Sequence, residues 1–356
     1  MSPSPQGTAV WVELSGENLP LAERDLSACS SVLETGVPPP QALPWGDGRF
    51  CEVGFSRPGP GALLAQRLAF AHRVLRPVAE GDLDTLVDAM VLEGGGGSSA
   101  RVRVASGGPP NLSRKLPQVL GHAFLQGGGR IDLESPDRDF LALLPTGSDD
   151  LRAENPAGLA EVIGEVPRGE AEARRAKNRP FRKPVTLPPR LARALVNLAR
   201  VPLGGTVLDP FCGTGAILAE AADLGYDVSG ADRDAEMVRG SLRNLSAQGI
   251  APARMVQSDI GRLPSALEGQ KFDGVVFDPP YGRASGTGGE GSEKVLSDTL
   301  ARLPELLSPG GRAAFLVHGP ELLPELPSTL RREELLVGER VHRSLTRWVV
   351  VLQRGP

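Results

Sequence analysis

Asp209-Pro210-Phe211-Cys212-Gly213-Thr214-Gly215 decides the fold. An apolar strand pattern over 206–209 enters this stretch, and a helical pattern over 216–224 leaves it. A strand that turns on glycines and feeds a helix opens a strand–helix–strand unit. The alternation continues outward: strand 227–232, helix 235–247, strands 254–258 and 272–278, a helix around 297–307, and strand 312–317. A helix over 188–199 precedes it, with Pro188-Pro189 in its first turn, where a missing N–H costs nothing. The tail, 334–341 and 348–352, reads as an antiparallel hairpin at the sheet edge. These patterns predict an α/β fold, doubly wound about a mostly parallel, seven-stranded sheet.

The ligand of the glycine turn follows from its charge. Gly213 and Gly215 allow a tight turn and close approach to the main chain. Asp232 ends the second strand, where a carboxylate accepts hydrogen bonds from ribose hydroxyls, and Asp259 follows the third, where it can face an adenine amine. A dinucleotide would require a third glycine and a loop that welcomes pyrophosphate. Here the third glycine is absent and the loop opens on an acid, Asp209. An acidic turn suits the cationic amino-acid end of S-adenosylmethionine. Asp209, Phe211, Gly213, Gly215, Asp232 and Asp259 are therefore the expected cofactor-binding residues.

Asp278-Pro279-Pro280-Tyr281 follows strand 272–277 and is the expected catalytic motif. The prolines fix φ and remove backbone donors, leaving carbonyls as acceptors beside the Asp278 carboxylate. An exocyclic base amine is a poor nucleophile because its lone pair is delocalised into the ring. If Asp278 and the Pro279 carbonyl each take one of its N–H groups, the lone pair turns toward a methyl donor. Tyr281 offers a face for stacking on an unpaired base, worth roughly 1–3 kcal/mol. Arg283 could reach a phosphate or the donor carboxylate, and the Gly- and Ser-rich stretch 284–291 is either a lid or a plain connection.

Composition narrows the remaining classes. At 356 residues, with 40% hydrophobic and 23% charged, the chain is long enough for two or three packed domains. Its three cysteines, Cys29, Cys51 and Cys212, are far apart, and its four histidines are scattered. Neither a disulfide framework nor a metal centre is expected. No apolar run approaches the ~20 residues of a membrane span, and 1–6 lack a secretory pattern, so a cytoplasmic protein is expected. The formal net charge of −4 is unfavourable for phosphate contacts unless cations are concentrated locally.

Residues 1–145 mix strand patterns (9–14, 101–105, 131–133, 140–144) with a helical one (63–74), separated by glycine loops at 94–97 and 107–110. That predicts an α+β region. Residues 146–186 carry few large apolar side chains and crowd Arg168, Arg174, Arg175, Lys177, Arg179, Arg182 and Lys183 together. They read as a basic linker, either solvated or touching RNA, ahead of a catalytic domain over 187–356.

Taken together, Arg179-Pro180-Phe181, Ala192 to Asn197, Asp209 to Gly215, Asp278 to Arg283 and His342 to Arg347 resemble the archaeal tRNA guanine-10 N2-methyltransferases. Glu13 to Gly16 and Ala71 to Val74 fit as well, so the likeness covers most of the chain. The resemblance implies a ferredoxin-like segment and a THUMP domain ahead of a class I methyltransferase domain, tRNA as partner, and Asp278 and Tyr281 handling guanine N2. It also implies RNA contacts from Arg114, Lys115 and Arg130, with Arg179 and Lys183 added by the basic linker. Gly94 to Gly97 departs from the family as an insertion.

The rival readings are a guanine N2-methyltransferase for another tRNA position or ribosomal RNA, a DNA adenine N6-methyltransferase, a non-catalytic RNA-binding scaffold, and a nicotinamide oxidoreductase. The last fails on the acidic loop. Whether a small activator subunit is needed stays open.

Overall fold

The computed structural model describes residues 8–105, 110–145, 151, 156–169, 174–175, 178–183, 186–280, 289–342 and 345–356. The chain forms two compact units, one built from 1–19, 34–66 and 71–166, the other from 20–33, 67–70 and 167–356.

In the first unit, strands β1 (Thr8–Leu14), β2 (Gln41–Ala42), β3 (Phe50–Phe55), β4 (Ala71–Gly81), β5 (Ser99–Val104), β6 (Arg130–Ile131), β7 (Arg138–Leu143) and β8 (Ala157–Glu165) make one sheet in the order β2-β3-β1-β4-β8-β7-β5-β6. All its pairings are antiparallel except β5 with β6 and with β7. Alternation along the strands gives two apolar faces. Phe140, Val102 and Leu159 pack with Met90, Leu120 and Phe124 of helices α3 (Leu83–Gly94) and α4 (Pro110–Gln126). Trp11, Trp45, Leu141 and Leu143 share a second cluster, with the Trp11 and Trp45 rings 4.8 Å apart.

Three expectations for this region are corrected. The helical pattern at 63–74 is a short helix, α2 (Pro60–Arg67), followed by the start of β4, because Ala71, Arg73, Val74 and Leu75 pair with β1 in the sheet. Gly94 belongs to helix α3 and not to a loop: a Cβ there would lie 2.3 Å from the Phe124 carbonyl, so its missing side chain sets the approach of α3 to α4. The linker expected over 146–186 contains strand β8, paired with both β4 and β7. Its small residues, Ala157 and Ala160, are fully buried, which a search for large apolar side chains misses.

The second unit holds the doubly wound sheet. Strands β9 (Thr206–Asp209), β10 (Asp227–Asp232), β11 (Arg254–Gln257), β12 (Phe272–Phe277), β13 (Leu307–Val317), β14 (Leu330–His342) and β15 (Leu345–Arg354) lie in the order β11-β10-β9-β12-β13-β15-β14. β9 to β13 pair in parallel, and β15 runs antiparallel between β13 and β14. Helices α5 (Pro189–Leu198), α6 (Ala216–Asp223), α7 (Ala235–Ser246), α8 (Leu263–Ala266) and α9 (Gly289–Leu306) connect and cover it. This is the class I methyltransferase topology. No helix among the described residues is long and apolar enough to cross a membrane.

The early helix α1 (Leu19–Leu33) groups, over 20–33, with this second unit rather than the first. Asp25 is fully buried and accepts hydrogen bonds from the main-chain N–H of Ala69 and Phe70 (2.7 and 3.0 Å) and from Asn197 Nδ2 (2.7 Å). A buried carboxylate is tolerable only with such donors. A domain boundary at 145 therefore does not describe the molecule.

Candidate active site

The strand order reverses direction at β9, whose neighbours are β10 and β12. In an open α/β sheet a ligand binds at this switch point, beyond the carboxyl ends of the strands. Asp209 ends β9, Asp232 ends β10, and Asp278 follows β12.

The loop after β9 is shaped by its glycines. Gly213 has φ +48° and Gly215 φ +80°, left-handed conformations that favour glycine. A Cβ on Gly215 would also lie 2.6 Å from Ser241 Oγ of α7. Asp232 Oδ2 accepts the Gly213 N–H at 3.1 Å and its Oδ1 accepts Asp234 N–H at 3.0 Å, which ties the loop to the end of β10. Asp209 Oδ1 accepts the Phe211 N–H at 3.0 Å. Phe211 is partly buried and packs, tilted, on Phe277 with ring centres 5.7 Å apart.

Three carboxylates thus gather with few compensating donors. Burial pushes Asp209 well above the usual carboxylate range, and the charges of Asp232 and Asp278 add to that against the Phe211 N–H. Burial also raises Asp232, against its two backbone hydrogen bonds. Asp278 is partly buried as a residue, but its Oδ1 is sealed from solvent and, among the described residues, has no hydrogen-bond partner. Burial pushes its carboxyl up to about 6, with the Arg347 guanidinium pulling the other way. A sealed acceptor without a donor is costly unless a ligand supplies one. The carboxylates also fit a cationic, sulfonium-bearing donor and would repel a pyrophosphate.

The other expected residues fall as follows. Pro279 is buried and Pro280 partly so, continuing from Asp278. Tyr281, Gly282 and Arg283, with most of the stretch read as a lid, lie outside the described residues; 289–291 belong to α9. Asp259 is exposed and accepts the Arg262 N–H at 3.0 Å. Arg114 and Lys115 are exposed on α4 and Arg130 on β6, all in the first unit. Lys183 bonds Glu236 at 3.1 Å near the protein surface.

Arg179 is a correction. It is 3% exposed, donates from Nε to the Arg174 carbonyl at 2.8 Å, and cannot present its guanidinium to RNA. Burial lowers its pKa. The basic stretch around it docks onto the catalytic unit: Arg174 pairs with the fully buried Glu220 at 2.7 Å, and Phe181 is clasped by Asn244 through its N–H and carbonyl. Composition shows the charge of such a segment but not the buried acid that takes it up. Sequence reading also gave no role to Arg347, although it quoted the stretch that carries it.

Residues 176–347 match the RMKL-like, methyltransferase domain family. The tRNA (guanine(10)-N2)-dimethyltransferase of Methanothermobacter thermautotrophicus is 33% identical over 300 residues, which span 82% of this chain and 85% of that protein. The chain belongs to the tRNA guanine-N2-methyltransferase family. Within this family, the tRNA (guanine(6)-N2)-methyltransferase of Thermus thermophilus is 32% identical over 238 residues, 65% of each chain. The crystal structure of TrmN from Thermus thermophilus superposes with a TM-score of 0.55 at 26% identity, covering 97% of this chain and 99% of that one. The methyl donor is S-adenosylmethionine.

Proposed function

We propose that this methyltransferase modifies tRNA at the exocyclic N2 of guanosine 10. Support comes from the sealed, unpartnered Oδ1 of Asp278 at the switch point, next to the glycine loop. Asp209, Phe211, Gly213, Gly215, Asp232 and Asp259 would hold the donor, which supplies a methyl group activated by its positive sulfur. Asp278 Oδ1 and the Pro279 carbonyl each accept one N–H of the guanine amine and so turn its lone pair toward that methyl. Asp278 then holds the proton the amine releases, a task suited to a carboxyl near 6. Tyr281 stacks on the flipped base. The first unit is read as the RNA-gripping, THUMP-bearing region, with Arg114, Lys115 and Arg130 toward tRNA.

The test is incubation with labelled donor and a tRNA transcript, then nucleoside analysis for N2-methyl- and N2,N2-dimethylguanosine. Replacing guanosine 10 by adenosine should remove the product. A product that persists there but disappears on replacing guanosine 6 supports the second reading, which the guanine-6 relative favours. Asp278→Ala should lose methyl transfer by a thousandfold or more while tRNA affinity stays within about twofold. An Asp278→Ala enzyme with full activity overturns the mechanism.

A further inference from the structure

Trp348, Val350 and Leu352 of β15 pack in one cluster with Phe277 of β12 and Phe315 and Val317 of β13. Register pairs Phe277 with Phe315, and Val317 with Trp348. Side chains alternate along a strand. The residues one step on, Asp278 beyond β12, His318 beyond β13 and Arg347 on β15, therefore share the opposite face at the carboxyl edge of the sheet. Arg347 comes from an antiparallel strand, so the chain must return from the far end of the domain to put it there. We propose that Arg347 is a positioning residue of the methyl-transfer site, acting through Asp278 to keep that carboxylate in its acceptor form while the base amine is seated.

This rests on the reading of Asp278 given above. Among the described residues, the titratable and charged groups at this corner are Asp209 from β9, Asp232 from β10, His318 after β13, and Arg347. The two acids disfavour further negative charge. Among the described residues, Arg347 is the cation whose charge reaches Asp278. It also faces His318, which burial and the Arg347 charge together hold toward its neutral form. Among the described residues, the corner then contains one fixed cation and an imidazole held toward its neutral form. If Asp278 took up a proton before the base was seated, its remaining acceptor oxygen would be weaker and it could no longer take up the proton that the amine releases.

The test is the pH dependence of single-turnover methyl transfer at saturating donor and tRNA, for the full chain and for Arg347→Met and Arg347→Lys. The wild-type acid limb should centre near 6. Arg347→Met should move it up by a pH unit or more and so lower the rate at pH 7 by about twofold or more, with recovery toward pH 8.5. Arg347→Lys should keep the wild-type limb. Donor binding by calorimetry reports the fold, and the neutral Arg347→Gln carries the same reading if the methionine variant does not bind donor. An acid limb unmoved in a neutral variant overturns the proposal even if the rate falls, as does a lysine variant that shifts as far as the methionine one. An active Asp278→Ala enzyme would instead sink the reading of Asp278 itself.

Discussion

Asp278 works at the expense of stability. Its carboxyl, near 6 when folded, lies above the ordinary value of 3.8. Between those values the unfolded chain has released the proton and the folded chain has not, so stability falls as pH rises through this window and stays lowered above it. The cost is at most about 3 kcal/mol. Asp278→Asn keeps the shape and removes the titration. Thermal melts should place that variant above wild type at pH 8, with the gap closing toward pH 4, and equal melting points at pH 8 would contradict this account. The motif around Asp278 was legible in sequence because its chemistry is local, an acid and two prolines after an apolar strand. Arg347 was not, because its relevance depends on a strand order that no local pattern reveals.

Among the elements, helix α1 is the least legible. Nothing in 19–33 announces that its buried face, with Leu21, Leu26 and Cys29, packs within the catalytic unit. The signal is a partnership across the chain, Asp25 with Asn197 and with the N–H groups of Ala69 and Phe70. Asp25→Ala would strand those donors in the core. Each buried, unpaired polar group costs about 1–3 kcal/mol, so a loss of about 3–5 kcal/mol is expected after partial relaxation. Denaturant titration measures it, and a loss below about 1 kcal/mol would mean that α1 is held by other contacts. Of the parallel strands, by contrast, β9 to β12 could be read to within a residue, whereas β13 begins at Leu307, five residues ahead of the apolar run at 312–317, because 308–311 carry no apolar pattern.

For the whole molecule, the two units interleave in sequence. Composition suggested a cut near 145, since the low content of large apolar residues beyond it resembles a linker. The structure moves the boundary to 166 and lends 20–33 and 67–70 to the catalytic unit. A fragment spanning 167–356 would lack α1 and the partners of Asn197 and Tyr226, which Asp25 and Arg67 supply in the full chain. It should melt roughly 10 °C below the catalytic transition of the intact protein and bind donor poorly. Calorimetry with S-adenosylhomocysteine checks this; a fragment that binds as the full chain does would show that α1 is dispensable. The interleaving also bears on how the protein is made. Asp25 leaves the ribosome 172 residues ahead of Asn197. At about 5–20 residues per second, the apolar face of α1 waits roughly 10–30 s for its partner. Nascent chains stalled before α5 should therefore depend on a holding chaperone, and chains stalled after it should not.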